Sequence, residues 1–174
     1  MLPASEENAL PAEPEFNAVL ETYSGMIWRI CGSYEADAEK RRDLHQEALV
    51  AIWRALPKFR GDAKAKTYIA RIAHNRAISH VTKEVKRPPH GELKEDLPTA
   101  SPGPEEQAAS SLRRAKLEAA IRRLPLDQRQ VVTLTLEGFA PREIADVLGV
   151  SANTISIRLT RAKAALKEIF HHDT

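Results

Sequence analysis

Apolar residues recur at helical spacing in three stretches of the first half of the chain. The first stretch covers residues 16–30 and stops at Gly32, and the second covers residues 44–56 and stops at Pro57. The second stretch is apolar on two sides, which is typical of a helix packed between neighbours. A third stretch covers residues 65–86. The pattern predicts a bundle of three helices.

The periodicity disappears over residues 88–104, which hold five of the eleven prolines and two glycines. Such a composition is typical of a linker. Helical spacing resumes over residues 110–124 and again over residues 126–137, and no strand-like alternation is found. We therefore expect an all-α protein with two small helical domains. The predicted division is a disordered acidic tail at 1–14, a first domain at 15–87, a flexible linker at 88–109 and a second domain at 110–174.

The segment from Pro141 to Arg161 predicts a helix-turn-helix. Pro141 suits a first helical turn, where its missing N–H needs no partner. Gly149 supplies the left-handed residue that ends the first helix, and Ser151 caps the second. The outward positions of the second helix are Asn153, Thr154, Ser156, Ile157, Arg158, Thr160, Arg161 and Lys163. Short polar side chains interleaved with basic ones suit a helix that contacts base edges and phosphates, and the alternative is an ordinary helical hairpin with a solvated face.

Length and composition limit the class of protein. The chain has 174 residues, of which 43% are apolar, enough for one or two compact domains. The single cysteine, Cys31, cannot form an internal disulfide, which favours a reducing compartment. No apolar run approaches the ~20 residues of a membrane span, and the acidic N-terminus is unlike a secretory signal. We therefore expect a cytoplasmic protein without membrane insertion.

Charges of opposite sign are segregated along the chain, although 26 basic residues nearly balance 24 acidic ones. Residues 1–22 carry five acidic side chains and no basic one, and residues 92–106 carry five acidic side chains and one basic. Residues 64–87 carry seven basic side chains and one acidic, and residues 151–170 are again basic. This pattern predicts two surfaces that face a polyanion, with charged but merely solvated faces as the alternative.

No catalytic or metal-binding motif is found in the sequence. Four of the six histidines lack the spacing of a zinc site, and the last two, His171 and His172, end the chain. The sequence contains no glycine-rich phosphate loop and no nucleophile elbow. We expect no enzymatic activity, no cofactor and no metal.

Motifs in both halves resemble those of bacterial sigma factors. Asp43-Leu-His-Gln-Glu-Ala-Leu, Ala51-Ile-Trp-Arg-Ala-Leu, Phe59-Arg-Gly-Asp and Arg71-Ile-Ala-His-Asn-Arg resemble region 2 of these proteins. Leu124-Pro-Leu-Asp-Gln-Arg-Gln-Val-Val and the helix-turn-helix resemble region 4. The short linker leaves no room for region 3, so the layout is similar to the extracytoplasmic-function, or group IV, subfamily of the sigma-70 family.

The resemblance implies a role for each group of polar residues. Asp43, Gln46 and Glu47 would dock on the clamp coiled coil of core RNA polymerase, with the polymerase flap as a further contact. The −10 element of promoter DNA would be melted and held by Lys64, Lys66, Thr67, Arg71, His74, Asn75 and Arg76, and Tyr68 would either stack on a base or pack internally. The outward residues of the second helix of the helix-turn-helix would contact the −35 element. An anti-sigma factor is a further partner found in the family.

Two other functions remain open from the sequence. One is a free-standing helix-turn-helix regulator whose first half binds a partner, and it predicts tight, specific DNA binding by the isolated chain. The other is a pure interaction protein, such as a decoy for an anti-sigma factor, and it predicts no promoter-specific transcript. A sigma factor predicts specific DNA binding only together with core polymerase.

Overall fold

The computed structural model describes residues 13–61, 64–86 and 105–173. Seven α-helices and one short 3₁₀ helix form this part of the chain, which contains no strand. The elements are α1 (Glu13–Gly32), α2 (Ala38–Ala55), the 3₁₀ helix (Leu56–Lys58), α3 (Ala65–Lys86), α4 (Glu105–Arg122), α5 (Leu126–Leu136), α6 (Pro141–Leu148) and α7 (Ala152–His172). The predicted all-α fold is confirmed.

Helices α1, α2 and α3 pack against one another as the first domain. Their shared core contains Ile27, Ile30, Leu44, Ile52 and Ile69, none of which is more than 1% exposed. Burial of such side chains stabilises each helix by about 1.5–3 kcal/mol per residue, more than intrinsic helix propensity supplies. The three-helix bundle that the apolar spacing predicted is therefore present.

Local signals set the ends of α2. The Asp37 carboxylate accepts hydrogen bonds from the backbone N–H groups of Glu39 (3.0 Å) and Lys40 (2.9 Å), which have no partner inside the helix. At the other end Pro57 cannot donate a backbone hydrogen bond, and the chain tightens into the 3₁₀ helix. The acidic and amide residues between these ends are thereby held on a regular helix.

Helices α4 to α7 form the second domain, in which α7 packs on α4, α5 and α6. Its core contains Val131, Leu134, Ile144, Ile155 and Ala162, all fully buried. The short helix α6 is strongly amphipathic and lays its apolar side on α7. The face of α7 opposite this core is left for other contacts.

Two helices begin earlier than the sequence predicted. Helix α1 starts at Glu13, inside the predicted tail, and α4 starts at Glu105, inside the predicted linker. The apolar spacing on which the predicted starts were based begins only at residues 16 and 112, after these first turns. The rest of the predicted tail and linker, residues 1–12 and 88–104, lies outside the described residues, as does residue 87 at the end of the predicted first domain.

The two domains pack together rather than standing apart. Helix α3 contacts α6, and the buried apolar residues of both domains belong to one continuous cluster. At this boundary the Arg129 guanidinium carbon lies 5.8 Å from the centre of the Tyr34 ring. The apolar pattern alone left this arrangement open, and the structure shows a closed one.

Candidate functional site

An acidic and amide patch lies on the exposed face of α2. Asp43, Gln46 and Glu47 are all solvent-exposed, because positions three and four apart fall on the same side of a helix. One turn further along the same side, Val50 is 46% exposed. These four residues, together with Arg54, line a shallow groove between α2 and α3. We call this groove the α2 face.

Basic residues of α3 border the α2 face. Arg76 and Lys83 line the same groove as Asp43 and Glu47. The sequence grouped Arg76 with the residues of the −10 site, but the structure places it beside the acidic patch. Helical spacing explains the position, since Arg76 and Lys83 are seven residues apart and occupy one side of α3. Sequence reasoning missed Val50 and Arg54, although their spacing from Asp43 was a usable signal, and it counted Lys83 among the charges of the −10 surface.

Four other predicted residues lie on or near the opposite, second-domain side of α3. Lys64 and Arg71 are exposed, Lys66 is half-buried, and the Asn75 side chain is exposed one turn after Arg71. Lys64, Arg71 and Asn75 are spaced by seven and four residues and therefore follow one side of the helix. We call Lys64, Lys66, Arg71 and Asn75 the α3 basic face.

Three residues of the α3 basic face contact the second domain, although Lys64 and Arg71 stay exposed. Lys64 Nζ lies 3.3 Å from the Glu143 carboxylate, and Arg71 donates a 2.9 Å hydrogen bond to the carbonyl of Asp146. Lys66 donates a 2.6 Å hydrogen bond to the carbonyl of Glu137. Lys66 Nζ also lies 4.6 Å from the centre of the Phe139 ring, within the range of a cation–π contact. In this arrangement three basic side chains are occupied by acceptors of the same chain.

Thr67 and His74 lie on the buried side of α3. Their relative exposures are 7% and 2%, and the His74 ring packs edge-on against Tyr34 with 5.8 Å between ring centres. Neither His74 nitrogen has a hydrogen-bond partner in the described part of the chain. Burial lowers the pKa of His74 to about 4, so the imidazole is neutral at pH 7. In this closed arrangement neither side chain is open to DNA.

Tyr68 is an internal packing residue in this structure. Its hydroxyl donates a 2.9 Å hydrogen bond to the carbonyl of Ala55, and its ring lies 4.9 Å from that of Phe59. Of the two roles that the sequence left open for Tyr68, the structure supports the internal one. The loop that follows α2 is thereby tied to the start of α3.

The helix-turn-helix has the geometry that the sequence predicted. Gly149 adopts the left-handed conformation, with φ of 67°, and ends α6. The Ser151 hydroxyl accepts a 3.1 Å hydrogen bond from the N–H of Thr154 and caps α7. Ala140 has no side-chain acceptor for the start of α6. The backbone N–H of Ala140 donates a 2.8 Å hydrogen bond to the Glu143 carboxylate.

Most outward residues of α7 are exposed in the closed molecule. The exposed ones are Asn153, Ser156, Ile157, Thr160, Arg161 and Lys163. Thr154 is half-buried, and its hydroxyl lies 2.9 Å from that of Ser151. Arg158 is also half-buried and lies 3.7 Å from the Asp127 carboxylate on α5. The face of α7 that would enter a DNA groove is therefore free, and we call it the α7 face.

Two other features are not found among the described residues. No group of three or more histidine, cysteine or carboxylate side chains there is arranged to hold a metal ion. None of the helices in residues 13–61, 64–86 and 105–173 has the length and apolar character required to span a membrane.

Two protein-family models match the chain in order. The Sigma-70 region 2 model matches residues 19–87, and the Sigma-70, region 4 model matches residues 114–166. The first match covers α2 and α3, and the second covers the helix-turn-helix. Together the two matches cover the α2 face, the α3 basic face and the α7 face.

Individual proteins are similar along most of the chain. The RNA polymerase sigma-H factor of Pseudomonas aeruginosa is 30% identical over 161 residues, which cover 87% of this chain and 83% of that protein. The ECF RNA polymerase sigma-E factor of Escherichia coli K12 is 29% identical, and the match covers 87% and 84% of the two chains.

Solved structures share the fold. CnrH in complex with the cytosolic domain of CnrY has a TM-score of 0.69 at 22% identity, with 94% of this chain and 92% of that chain covered. The sigma factor RpoE of Bartonella quintana, in complex with the anti-sigma factor NepR, also has a TM-score of 0.69, at 20% identity, with 92% and 99% covered. Because both sigma regions match in order and a relative at 30% identity spans most of both proteins, this chain belongs to the sigma-70 family of RNA polymerase sigma factors, in its extracytoplasmic-function (ECF) group.

Proposed function

We propose that this ECF sigma factor divides promoter recognition among three surfaces: the α2 face docks on core RNA polymerase, the α3 basic face holds the −10 element and the α7 face reads the −35 element. The observation that carries the proposal is the order of the two family regions, each with candidate residues on its own helix face. The polymerase performs the chemistry, and this chain contributes binding free energy and strand capture without catalysis.

The α2 face has the chemistry of a protein-docking surface. Carboxylate and amide groups surround an exposed valine, and Arg76 and Lys83 stand on the opposite wall of the groove. The acidic patch on α2 favours basic residues on a partner helix, and burial of the exposed valine on binding adds apolar contact area. The clamp coiled coil of the polymerase is the partner that we assign to this surface.

The α3 basic face suits the sugar-phosphate backbone of unpaired DNA. Lys64 and Arg71 supply positive charge along one side, Lys66 adds a charge at the start of the helix, and Asn75 can both donate and accept hydrogen bonds. We assign the −10 contacts to these four residues. Thr67 and His74 support the surface from its buried side, and Arg76 contributes from the α2 face.

The α7 face suits the major groove of duplex DNA. Arg161 and Lys163 are exposed beside Ser156 and Thr160, which combines groups for phosphates with groups for base edges. Ile157 is 45% exposed and can contact the methyl group of a thymine. We assign the −35 contacts to this face, with Asn153, Thr154 and Arg158 at its margins.

An anti-sigma factor is the second protein partner that we propose. The similar RpoE structure is a complex with an anti-sigma factor. Because the polymerase acts on DNA in the bacterial cytoplasm, we place this chain there. The free-standing regulator is not favoured, since it gives no reason for a complete region 2 before the helix-turn-helix.

Run-off transcription tests the proposal directly. Random genomic fragments are transcribed by core polymerase with and without this chain, and the RNA ends are mapped. We expect new, discrete start sites that share two upstream sequence elements and appear only when both proteins are present. Absence of any new start site, or specific duplex binding that needs no polymerase, would contradict a sigma function for this chain.

A further inference from the structure

We propose that a cavity between α1, α4 and α5 binds a small amphipathic carboxylate, whose anionic group pairs with Arg114 and whose other end carries a hydroxyl that meets Thr133. The inference goes beyond the proposed function, because no residue of the α2 face, the α3 basic face or the α7 face lines this cavity. It adds a small-molecule site to a chain whose other proposed partners are macromolecules.

The cavity has a volume of about 400 Å³. Its lining comes from α1 of the first domain and from α4, α5 and the residues directly after α5 in the second. Small-molecule sites in proteins occupy about 300–1,000 Å³, so this volume suits a compact ligand. Arg114 and Leu136 are exposed and mark the open side, whereas Ile121 and Thr133 are buried. A ligand can therefore enter from solvent and reach buried groups.

Apolar side chains form part of the lining. Leu117 and Ile121 are four residues apart and share one side of α4. Leu136, at the end of α5, is 54% exposed. Contact with a hydrocarbon body would remove this apolar surface from water, which is favourable. The ligand therefore needs an apolar body between its polar ends.

A buried hydroxyl without a partner also lines the cavity. Thr133 is 2% exposed, and its Oγ1 has no hydrogen-bond partner within the described residues. The nearby Tyr34 hydroxyl has none in that part of the chain either, so the two do not satisfy each other. The Ser33 hydroxyl, in contrast, donates a 3.3 Å hydrogen bond to the carbonyl of Arg29. Because a buried hydroxyl without a partner is costly, Thr133 favours a ligand that donates or accepts a hydrogen bond there.

The charges around the cavity leave one cation available. Arg29 donates two hydrogen bonds of 2.8 Å to the Glu137 carboxylate, and the Glu118 carboxylate lies 3.2 Å from Arg41, which is outside the lining. Arg114 has no carboxylate partner among the residues that the structure describes. A guanidinium binds a carboxylate through two parallel hydrogen bonds. The open side of the cavity therefore favours an anionic group.

These features together select one class of ligand. A cationic ligand would be repelled by the Arg114 guanidinium, and a purely apolar one would leave Thr133 without a partner. A carboxylate at one end, an apolar body and a hydroxyl at the other end match all three parts of the lining.

Titration of the full chain with three matched probes tests the site. The probe para-hydroxyphenylacetate carries a carboxylate and a hydroxyl at opposite ends of an apolar body. Phenylacetate lacks the hydroxyl, and tyramine has a cationic aminomethyl group in place of the carboxylate. Isothermal titration calorimetry measures each affinity for the parent chain, Arg114→Gln and Thr133→Val. Arg113→Gln, at an exposed position of α4 that does not line the cavity, makes the same change of net charge as Arg114→Gln and is the control.

We expect saturable binding of para-hydroxyphenylacetate, about 5-fold weaker binding of phenylacetate and no binding of tyramine. Arg114→Gln should weaken binding of both carboxylates about 10-fold, Thr133→Val should remove the preference for the hydroxylated one, and Arg113→Gln should match the parent chain. Absence of saturable binding in the millimolar range, equal weakening by Arg113→Gln, or a preference that survives Thr133→Val would overturn the site. None of these results would change the outcome of run-off transcription, which tests the sigma function separately.

Discussion

The angular position of each side chain around α3 decides what that residue can contact. His74 and Thr67 share the buried side with Ala70, Ala73 and Ala77, where the small side chains let neighbouring helices approach. The His74 ring fills the space beside Tyr34 as a neutral group. The sequence could not distinguish this side from the exposed one, because both carry polar residues.

The buried imidazole makes stability depend on pH. The pKa of His74 is about 4 in the folded chain because of burial, against 6.5 for an exposed histidine. Between these values the unfolded chain binds a proton that the folded chain does not, so stability is fully present above pH 6.5 and falls as the pH decreases toward 4. Because of His74 alone, we expect the free energy of unfolding to be about 2 kcal/mol lower at pH 5 than at pH 7.

Urea unfolding of the parent chain and His74→Leu at both pH values measures this effect. Leucine does not titrate, so the variant should lose about 2 kcal/mol less than the parent between pH 7 and pH 5. Other titrating groups, such as Glu35 beside His80, remain in both proteins and cancel in the difference. Equal losses in the two proteins would show that His74 is protonated, and hence solvated, in the folded chain.

We also expect single residues to set −35 specificity. Arg161→Ala should cost roughly 1–3 kcal/mol of binding to promoter duplex, and the loss should be concentrated at one −35 position, because a base-edge contact discriminates among sequences. Binding of the polymerase complex to a promoter and its single-base −35 variants measures this. Lys167→Ala, also exposed on α7 but outside the α7 face, is the control. A loss that is the same on every duplex would assign Arg161 to a phosphate.

Helices were the features most readily predicted from the sequence. The bounds of α3, residues 65–86, and the start of α5 at Leu126 agree with the apolar spacing, as does the glycine turn of the helix-turn-helix. The early starts of α1 and α4 were missed because their first turns are polar and carry no apolar period.

At the scale of a single helix, we predict that substitutions on α2 weaken binding to core polymerase. Replacing Gln46 by Ala and Glu47 by Lys together should weaken binding to core polymerase at least 10-fold, because a reversed charge would face basic residues of the partner. Affinity chromatography or anisotropy with labelled chain measures the binding. Glu21→Lys, exposed on α1, makes a comparable change in charge and should have little effect.

The affinity of that variant for duplex DNA distinguishes a lost docking contact from damage to the fold. Its low-salt affinity for duplex DNA should match that of the parent chain, because the α7 face is built by the other domain. Unchanged affinity for core polymerase would remove the α2 face as the docking surface. A loss of both activities would instead indicate damage to the fold.

The arrangement of the whole molecule lay beyond sequence reasoning. Arg29 and Glu137 are 108 residues apart, and neither belongs to a motif that suggests a partner. The segregation of charge was visible in the sequence, but it was interpreted as two surfaces that bind DNA and not as contacts between the two domains. In the described structure Lys64, Lys66 and Arg71 instead contact acceptor groups of the second domain.

The division of labour among the three faces is tested most directly by footprinting the polymerase complex on one promoter. DNase protection reports the −35 and −10 segments, and permanganate reports unpaired thymines. With the parent chain we expect two protected segments and reactive thymines at −10. Lys66→Ala with Arg71→Ala should abolish thymine reactivity and keep −35 protection, whereas Arg161→Ala should weaken −35 protection first. Equal loss of both signals in the α3 variant, or reactive thymines without polymerase, would contradict the account.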